Sequence, residues 1–159
     1  MVKRKVCMVG DFSVGKTSLT QKFVNNQFSE SYLTTIGVKI DTAIVRDTKL
    51  IVWDIAGRDS LSPINVSYLV GASGVVLVAD GSRPETVDDL HDIWETVKTR
   101  IGVIPVVVAL NKRDLHDWSV QAKQIDSLKE QGWTVFETSA KDGLDVAELF
   151  NQLCIDMSE

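Results

Sequence analysis

The chain has 159 residues, 44% of them hydrophobic and 25% charged, with a formal net charge of -5 at pH 7. That length suits one domain with a substantial core, and that composition is an ordinary soluble globular protein, neither disordered nor fibrous. The negative balance excludes a general affinity for nucleic acid, whose phosphates need a basic face, but leaves room for a small phosphate-bearing ligand that one local positive site could hold.

In chain order, apolar runs bounded by polar turns recur at residues 5–9, 38–45, 49–55, 74–80, 104–110 and 133–137. The fourth and fifth, "GVVLVAD" and "IPVVVAL", are apolar almost throughout and valine-rich, as central parallel strands covered on both faces require. The second, "VKIDTAIV", alternates as an edge strand does, and "RDTK" joins it to the third as an antiparallel hairpin. Helical patterns fill the gaps. In "PETVDDLHDIWETVKTRI" the residues Val87, Leu90, Ile93, Trp94, Val97 and Ile101 recur every three or four positions, with Pro84 near the start. Val146, Leu149, Phe150, Leu153, Cys154 and Met157 make a similar stripe, and weaker helical patterns lie at about 16–25, 64–71 and 119–131. Strands alternating with helices predict an α/β fold, a mostly parallel sheet with one antiparallel edge strand and helices on both faces. Ligands of such sheets collect beyond the strands' carboxyl ends.

Neither cysteine, Cys7 nor Cys154, has disulfide or metal spacing, so a reducing, cytoplasmic setting is expected. His91 and His116 lack nearby partner ligands and read as surface residues. No apolar run spans a bilayer, the N-terminal run is too short for a signal peptide, Val2 precludes a myristoyl glycine, and Cys154 lies too far from the terminus for prenylation. No membrane attachment is expected to be encoded within these residues, and a monomer is expected.

"GDFSVGKT", residues 10–17, matches G-x-x-x-x-G-K-[ST] between the first strand and first helix. Such a loop wraps backbone N–H groups around a β-phosphate at the positive end of a helix, and its glycines permit close approach. Ser13, Val14, Gly15, Lys16, Thr17 and Ser18 are the loop residues expected at the nucleotide, Lys16 as the charge on the phosphates and Thr17 as an oxygen for Mg²⁺. Asp54 ends the third run and would hold Mg²⁺ through water. Gly57, in "DIAG", would offer a backbone N–H to a γ-phosphate.

"NKRD", residues 111–114, follows the fifth run, and "SAK", residues 139–141, follows the sixth. Asp114, acceptor-only, suits the N1–H and amine of guanine, a pairing adenine cannot make, and such sites discriminate by roughly 10⁴-fold. The Ala140 N–H would meet guanine O6, the stems of Lys112 and Lys141 would flank the base, and Asn111 and Ser139 complete the two motifs. Each motif alone could be a surface turn; four of them in order, all at strand carboxyl ends, make a site.

With these residues the chain resembles the Ras superfamily of small GTPases along essentially its whole length. "TTIGVKI", "WDIAG" and "YLVGASGVVLVAD" look most like the Rab branch. The resemblance implies the P-loop NTPase fold, with a six-stranded sheet and five helices, and a GTP/GDP switch, with Thr35 on Mg²⁺ and the γ-phosphate, Tyr32 over the phosphates and Phe28 against guanine. It also implies effector, exchange-factor and GTPase-activating partners meeting residues 26–45 and 55–71. Many relatives carry a lipid-bearing tail after this last helix. Two positions depart from the family pattern. Arg58 stands where most relatives have a glutamine that orients the attacking water; arginine only donates and stays charged, so it cannot replace that group directly. Phe12 stands where relatives have a small residue, crowding the γ-phosphate side. Both point to slow intrinsic hydrolysis. Arg58 reads equally as a solvated residue paired with Asp59 or as a cationic finger acting in cis, so Lys16, Thr35 and Arg58 are the candidate catalytic residues. A non-hydrolysing guanine-nucleotide scaffold is the alternative, favoured by Phe12 and Arg58 and disfavoured by Lys16, Thr17, Thr35 and Asp54. An ATP-using P-loop enzyme would leave Asp114 and Ala140 unexplained.

Overall fold

The apolar runs become strands of one sheet in the computed structural model, which describes residues 1–25, 38–55 and 66–158 together with the backbone of 31–33. They are β1 (Val2–Gly10), β3 (Lys39–Val45), β4 (Thr48–Asp54), β5 (Gly74–Asp80), β6 (Val106–Asn111) and β7 (Thr134–Glu137). A seventh strand, β2 (Ser31–Leu33), is only three residues long, too short for a periodic hydrophobic signal to announce it. The order is β2-β3-β4-β1-β5-β6-β7. Among the described strands only β3 runs against the rest of the sheet, as the short turn "RDTK" predicts, but β2 lies outside it, so β3 is not the edge that its alternation suggests. The β3–β4 turn is the two-residue kind that matches strand twist, with Arg46 and Asp47 both left-handed, at φ 49° and 65°.

Every residue of β5 and β6 is buried, because helices cover both faces of the sheet. On one face Val6, Met8, Leu50, Val52, Val76, Val78, Val107 and Ala109 pack against α1 (Lys16–Asn25) and α4 (Val146–Met157). Phe23 of α1 stacks on Phe150 of α4 with ring centroids 4.0 Å apart. On the other, Cys7, Val9, Val75, Leu77, Val108 and Leu110 meet α2 (Glu85–Ile101) and α3 (Ala122–Lys129). The period of two within each strand and of three to four within each helix is thus resolved into two core layers. The helix α3 is shorter than the pattern over 119–131 suggests. Its start is fixed where the Gln124 side chain accepts the Gln121 N–H at 3.0 Å. Four α-helices are described rather than five; the helix expected over 64–71 is represented among the described residues by a 3-10 turn, Ser67–Leu69. His116 is exposed, while His91 is half-buried, its Nε2 3.2 Å from Ser127 Oγ and its ring beside Trp133. No described helix is long and apolar enough to cross a membrane.

This topology sets the register that matters for the site. Parallel pairing places Met8 beside Asp54 and Asp80 beside Asn111, so β1, β4, β5 and β6 end together along one rim of the sheet.

Candidate functional site

At that rim the chain leaves β1 as a tight loop and re-enters as α1. Glycine is required twice. A Cβ at Gly10 would strike the Val78 carbonyl, and one at Gly15, whose φ is +104°, would overlap the Asn111 amide. Ser13 is left-handed as well, at φ 58°. The loop encloses a cavity of 380 Å³ lined by Phe12, Ser13, Val14, Gly15, Lys16, Thr17, Ser18 and Lys112. A neighbouring cavity of 270 Å³ shares Gly15, Ser18 and Lys112 and adds Asn111, Asp114, Ala140 and Lys141. Sharing these residues, the two adjoin as a cleft with a loop at one end and the β6 and β7 exits at the other.

Lys16 lies almost wholly buried, its Nζ donating to the carbonyls of Gly10 at 3.1 Å and Asp11 at 2.8 Å. Burial holds its amine below the ordinary lysine range; the carboxylates of Asp54 and Asp11 oppose that shift, and the nearby Arg83 charge adds to it. Thr17 Oγ1 donates to Asp54 Oδ2 in a short hydrogen bond. Burial raises the Asp54 carboxyl above its usual range, against the pull of the Thr17 hydroxyl and of Lys16. The second oxygen, Oδ1, is buried with no hydrogen-bond partner among the described residues. An orphaned carboxylate oxygen beside a threonine hydroxyl is hard-oxygen chemistry, which fits a hydrated Mg²⁺. The glycine-lined loop with its buried ammonium fits a phosphate chain.

At the other end, Asn111 is a strut rather than a wall. Its Nδ2 donates to the Val14 carbonyl at 3.1 Å, and its Oδ1 accepts from Thr138 Oγ1 at 3.1 Å and from the Ala140 N–H at 3.3 Å. One buried amide therefore joins the loop, β6 and the segment after β7. Asp114 Oδ1 accepts from Ser139 Oγ at 2.9 Å, and that hydroxyl accepts the Asp142 N–H at 3.0 Å. These bonds fix the carboxylate at the mouth of the smaller cavity.

The structure thus places Ser13, Val14, Gly15, Lys16, Thr17, Ser18, Asn111, Lys112, Asp114, Ala140 and Lys141 around the two cavities, with Asp54 bonded to Thr17 and Ser139 to Asp114. Phe28, Thr35, Gly57 and Arg58 lie outside the described residues, as does the side chain of Tyr32, whose backbone belongs to β2. Two residues near the cleft were not legible as part of it. Asp80, buried at the end of β5, pairs with Lys112 Nζ at 2.9 Å and with Arg83 Nε at 3.1 Å. The available signal was position: like Asp54, it is a carboxylate closing an apolar strand at the binding rim.

Comparison with known proteins agrees with this geometry. The profile of the Ras family matches residues 5–159. The chain is 33% identical over 160 residues to the Ras-related protein Rab-13 of Bos taurus, covering 96% of this chain and 79% of that one. It is 34% identical over 152 residues to the Ras-related protein SEC4 of Saccharomyces cerevisiae, covering 92% and 71%. With the Ras-related protein Rab-7b of Mus musculus it shares 35% over 162 residues, covering 96% and 81%.

Proposed function

The chain belongs to the Ras family of GTP-binding, GTP-hydrolysing switch proteins, and we propose that residues 1–159 form one such domain whose nucleotide lies in the cleft described above. One observation carries this reading: Lys16, Thr17, Asn111 and Asp114, from separate stretches of sequence, line two adjoining cavities at the carboxyl ends of the strands, with Asp54 bonded to Thr17 beside them. Lys16 would give up its loop carbonyls to meet the β- and γ-phosphates. Thr17 and Asp54 would hold Mg²⁺, Asp54 through water, and the ion would neutralise charge developing on the phosphates. Asp114 would accept the guanine N1–H and amine, and Ala140 would turn its N–H from Asn111 to guanine O6. Phe28, Tyr32, Thr35 and Gly57 take their roles from the family pattern, the last two as γ-phosphate contacts that order and release their loops.

Hydrolysis is slow in this reading. Arg58 cannot accept a hydrogen bond from the attacking water, and Phe12, half-exposed, lines the phosphate cavity itself. A partner then supplies catalytic groups, and effectors, exchange factors and GTPase-activating proteins meet residues 26–45 and 55–71. The setting is cytoplasmic, in keeping with two free, buried cysteines, and the chain is read as a monomer that does not bind nucleic acid. Phosphate release from GTP-loaded protein in a single turnover tests the scheme. Slow, Mg²⁺-dependent conversion to GDP is expected. Arg58→Gln accelerates it if arginine has merely displaced glutamine, and Arg58→Ala slows it if arginine is a finger in cis. The same two departures favour a second reading, a non-hydrolysing guanine-nucleotide scaffold, and GTP that persists unchanged would support it.

A further inference from the structure

Nearly every carbonyl of the phosphate loop takes a donor from the loop's own helix or from the motif after β6. Those of Gly10 and Asp11 take Lys16 Nζ; that of Ser13 takes Lys112 Nζ at 3.0 Å; that of Val14 takes Asn111 Nδ2; that of Gly15 takes the Leu19 N–H at 2.9 Å. The Phe12 carbonyl is held differently, by Arg83 Nη2 at 2.6 Å, from a residue 71 positions away on the loop between β5 and α2.

Arg83 is built to do this. Its Nε donates to Asp80 Oδ2 at 3.1 Å, so one planar guanidinium spans the carboxylate and the carbonyl. Asp80 is itself nearly inaccessible and is fixed by the Ser82 N–H at 2.9 Å, Ser82 Oγ at 2.7 Å and Lys112. The same buried carboxylate therefore anchors two cations that grip two successive loop carbonyls, Phe12 through Arg83 and Ser13 through Lys112. In a trans peptide the carbonyl and the next N–H point opposite ways, so gripping one aims the other. Arg83 on the Phe12 carbonyl sets the direction of the Ser13 N–H, at a residue held left-handed and lining the phosphate cavity. Arg83 itself does not line that cavity.

We propose that Arg83 is a positioning residue of the phosphate loop: anchored on Asp80, it aims the Ser13 amide at the bound phosphates and so sets how long the nucleotide stays. The proposal rests on the cleft being the nucleotide site. It makes residence time depend on a residue outside every nucleotide motif of the sequence. Without Arg83 the Phe12 carbonyl loses that donor, the 12–13 peptide is aimed less firmly, and release accelerates. Encounter, which depends on the whole cleft, is little changed.

Stopped-flow association and dissociation of a fluorescent GDP, with ³¹P spectra of bound GDP, test it on Arg83→Gln and Arg83→Lys. Losing one charge-assisted hydrogen bond should raise the release rate of Arg83→Gln about tenfold, with association within about twofold of native. Arg83→Lys keeps the charge but not the fork, and falls between the two. The β-phosphate resonance should shift in Arg83→Gln, a change that general loosening of the fold would not give. Release within twofold of native would overturn the proposal. Faster release with unmoved phosphorus resonances and a lowered unfolding temperature would overturn it too, by making Arg83 merely structural. If the native protein takes up no guanine nucleotide, the reading of the cleft fails and this proposal with it; native uptake with unaltered release in the variants refutes Arg83 alone.

Discussion

Gly15→Ala is the sharpest perturbation of the cleft, because two separate costs fall on one methyl group. Gly15 holds φ +104°, a backbone region open to glycine and costly for any residue with a side chain. Such strain amounts to about 1–3 kcal/mol. The new Cβ would also overlap the Asn111 amide and push Nδ2 off the Val14 carbonyl, now 3.1 Å away. That bond contributes about 1 kcal/mol net. Together these make about 2–4 kcal/mol, and each 1.4 kcal/mol is a factor of about ten in binding. If the loop relaxes in the free protein, the cost reappears on binding and GDP affinity falls by about 30- to 1,000-fold. Should it be unable to relax, the cost shows instead as lost stability. Fluorescent-GDP titration and thermal unfolding on the same preparation capture both. A Gly15→Ala variant in which neither quantity moves by as much as about 1 kcal/mol would refute the argument that this contact shapes the loop.

Asp80 gives a pH-dependent prediction. Burial pushes its carboxyl up, but donors from Ser82, Lys112 and Arg83 outweigh that and leave it below the ordinary aspartate range. Its contribution is therefore present above the unfolded value of about 3.9 and lost as pH falls through the lower folded value. Denaturant titrations should find Asp80→Asn less stable at pH 7 by about 1–3 kcal/mol, with the gap narrowing below about pH 4; a gap independent of pH would contradict the ion pairs. Cys7 is fully buried and burial pushes its thiol up to about 12, so a thiol reagent at about pH 8 should label it only on unfolding. Labelling at a rate independent of stability would contradict its place in the core.

Contiguity decided what could be read from the chain. The valine-rich runs that became β5 and β6, and the short motifs at 10–17, 111–114 and 139–141, put their message in neighbouring residues. That Asp54 closes its strand was legible as the end of the third apolar run, while its place beside β1 came with the fold. What escaped depended on long-range geometry. Asp80 closes a strand, where an aspartate reads as a turn former, and only the fold brings Arg83 to Phe12. Asn111 was legible as part of a motif but not as the strut between the loop and Ala140, because its partners Val14 and Thr138 are 97 and 27 positions away. The strand β2 escaped for the opposite reason: three residues carry too little pattern, and so β3 looked like an edge.

If the cleft is the guanine-nucleotide site, the direct assay is the identity of the nucleotide that accompanies the purified protein. Denaturing the protein and separating what it releases by chromatography should yield GDP or GTP in near-stoichiometric amount, displaced beforehand by excess GDP and not by ATP. Protein that carries no nucleotide and takes up none, or that exchanges its ligand for ATP as readily as for GDP, would contradict the account at its centre.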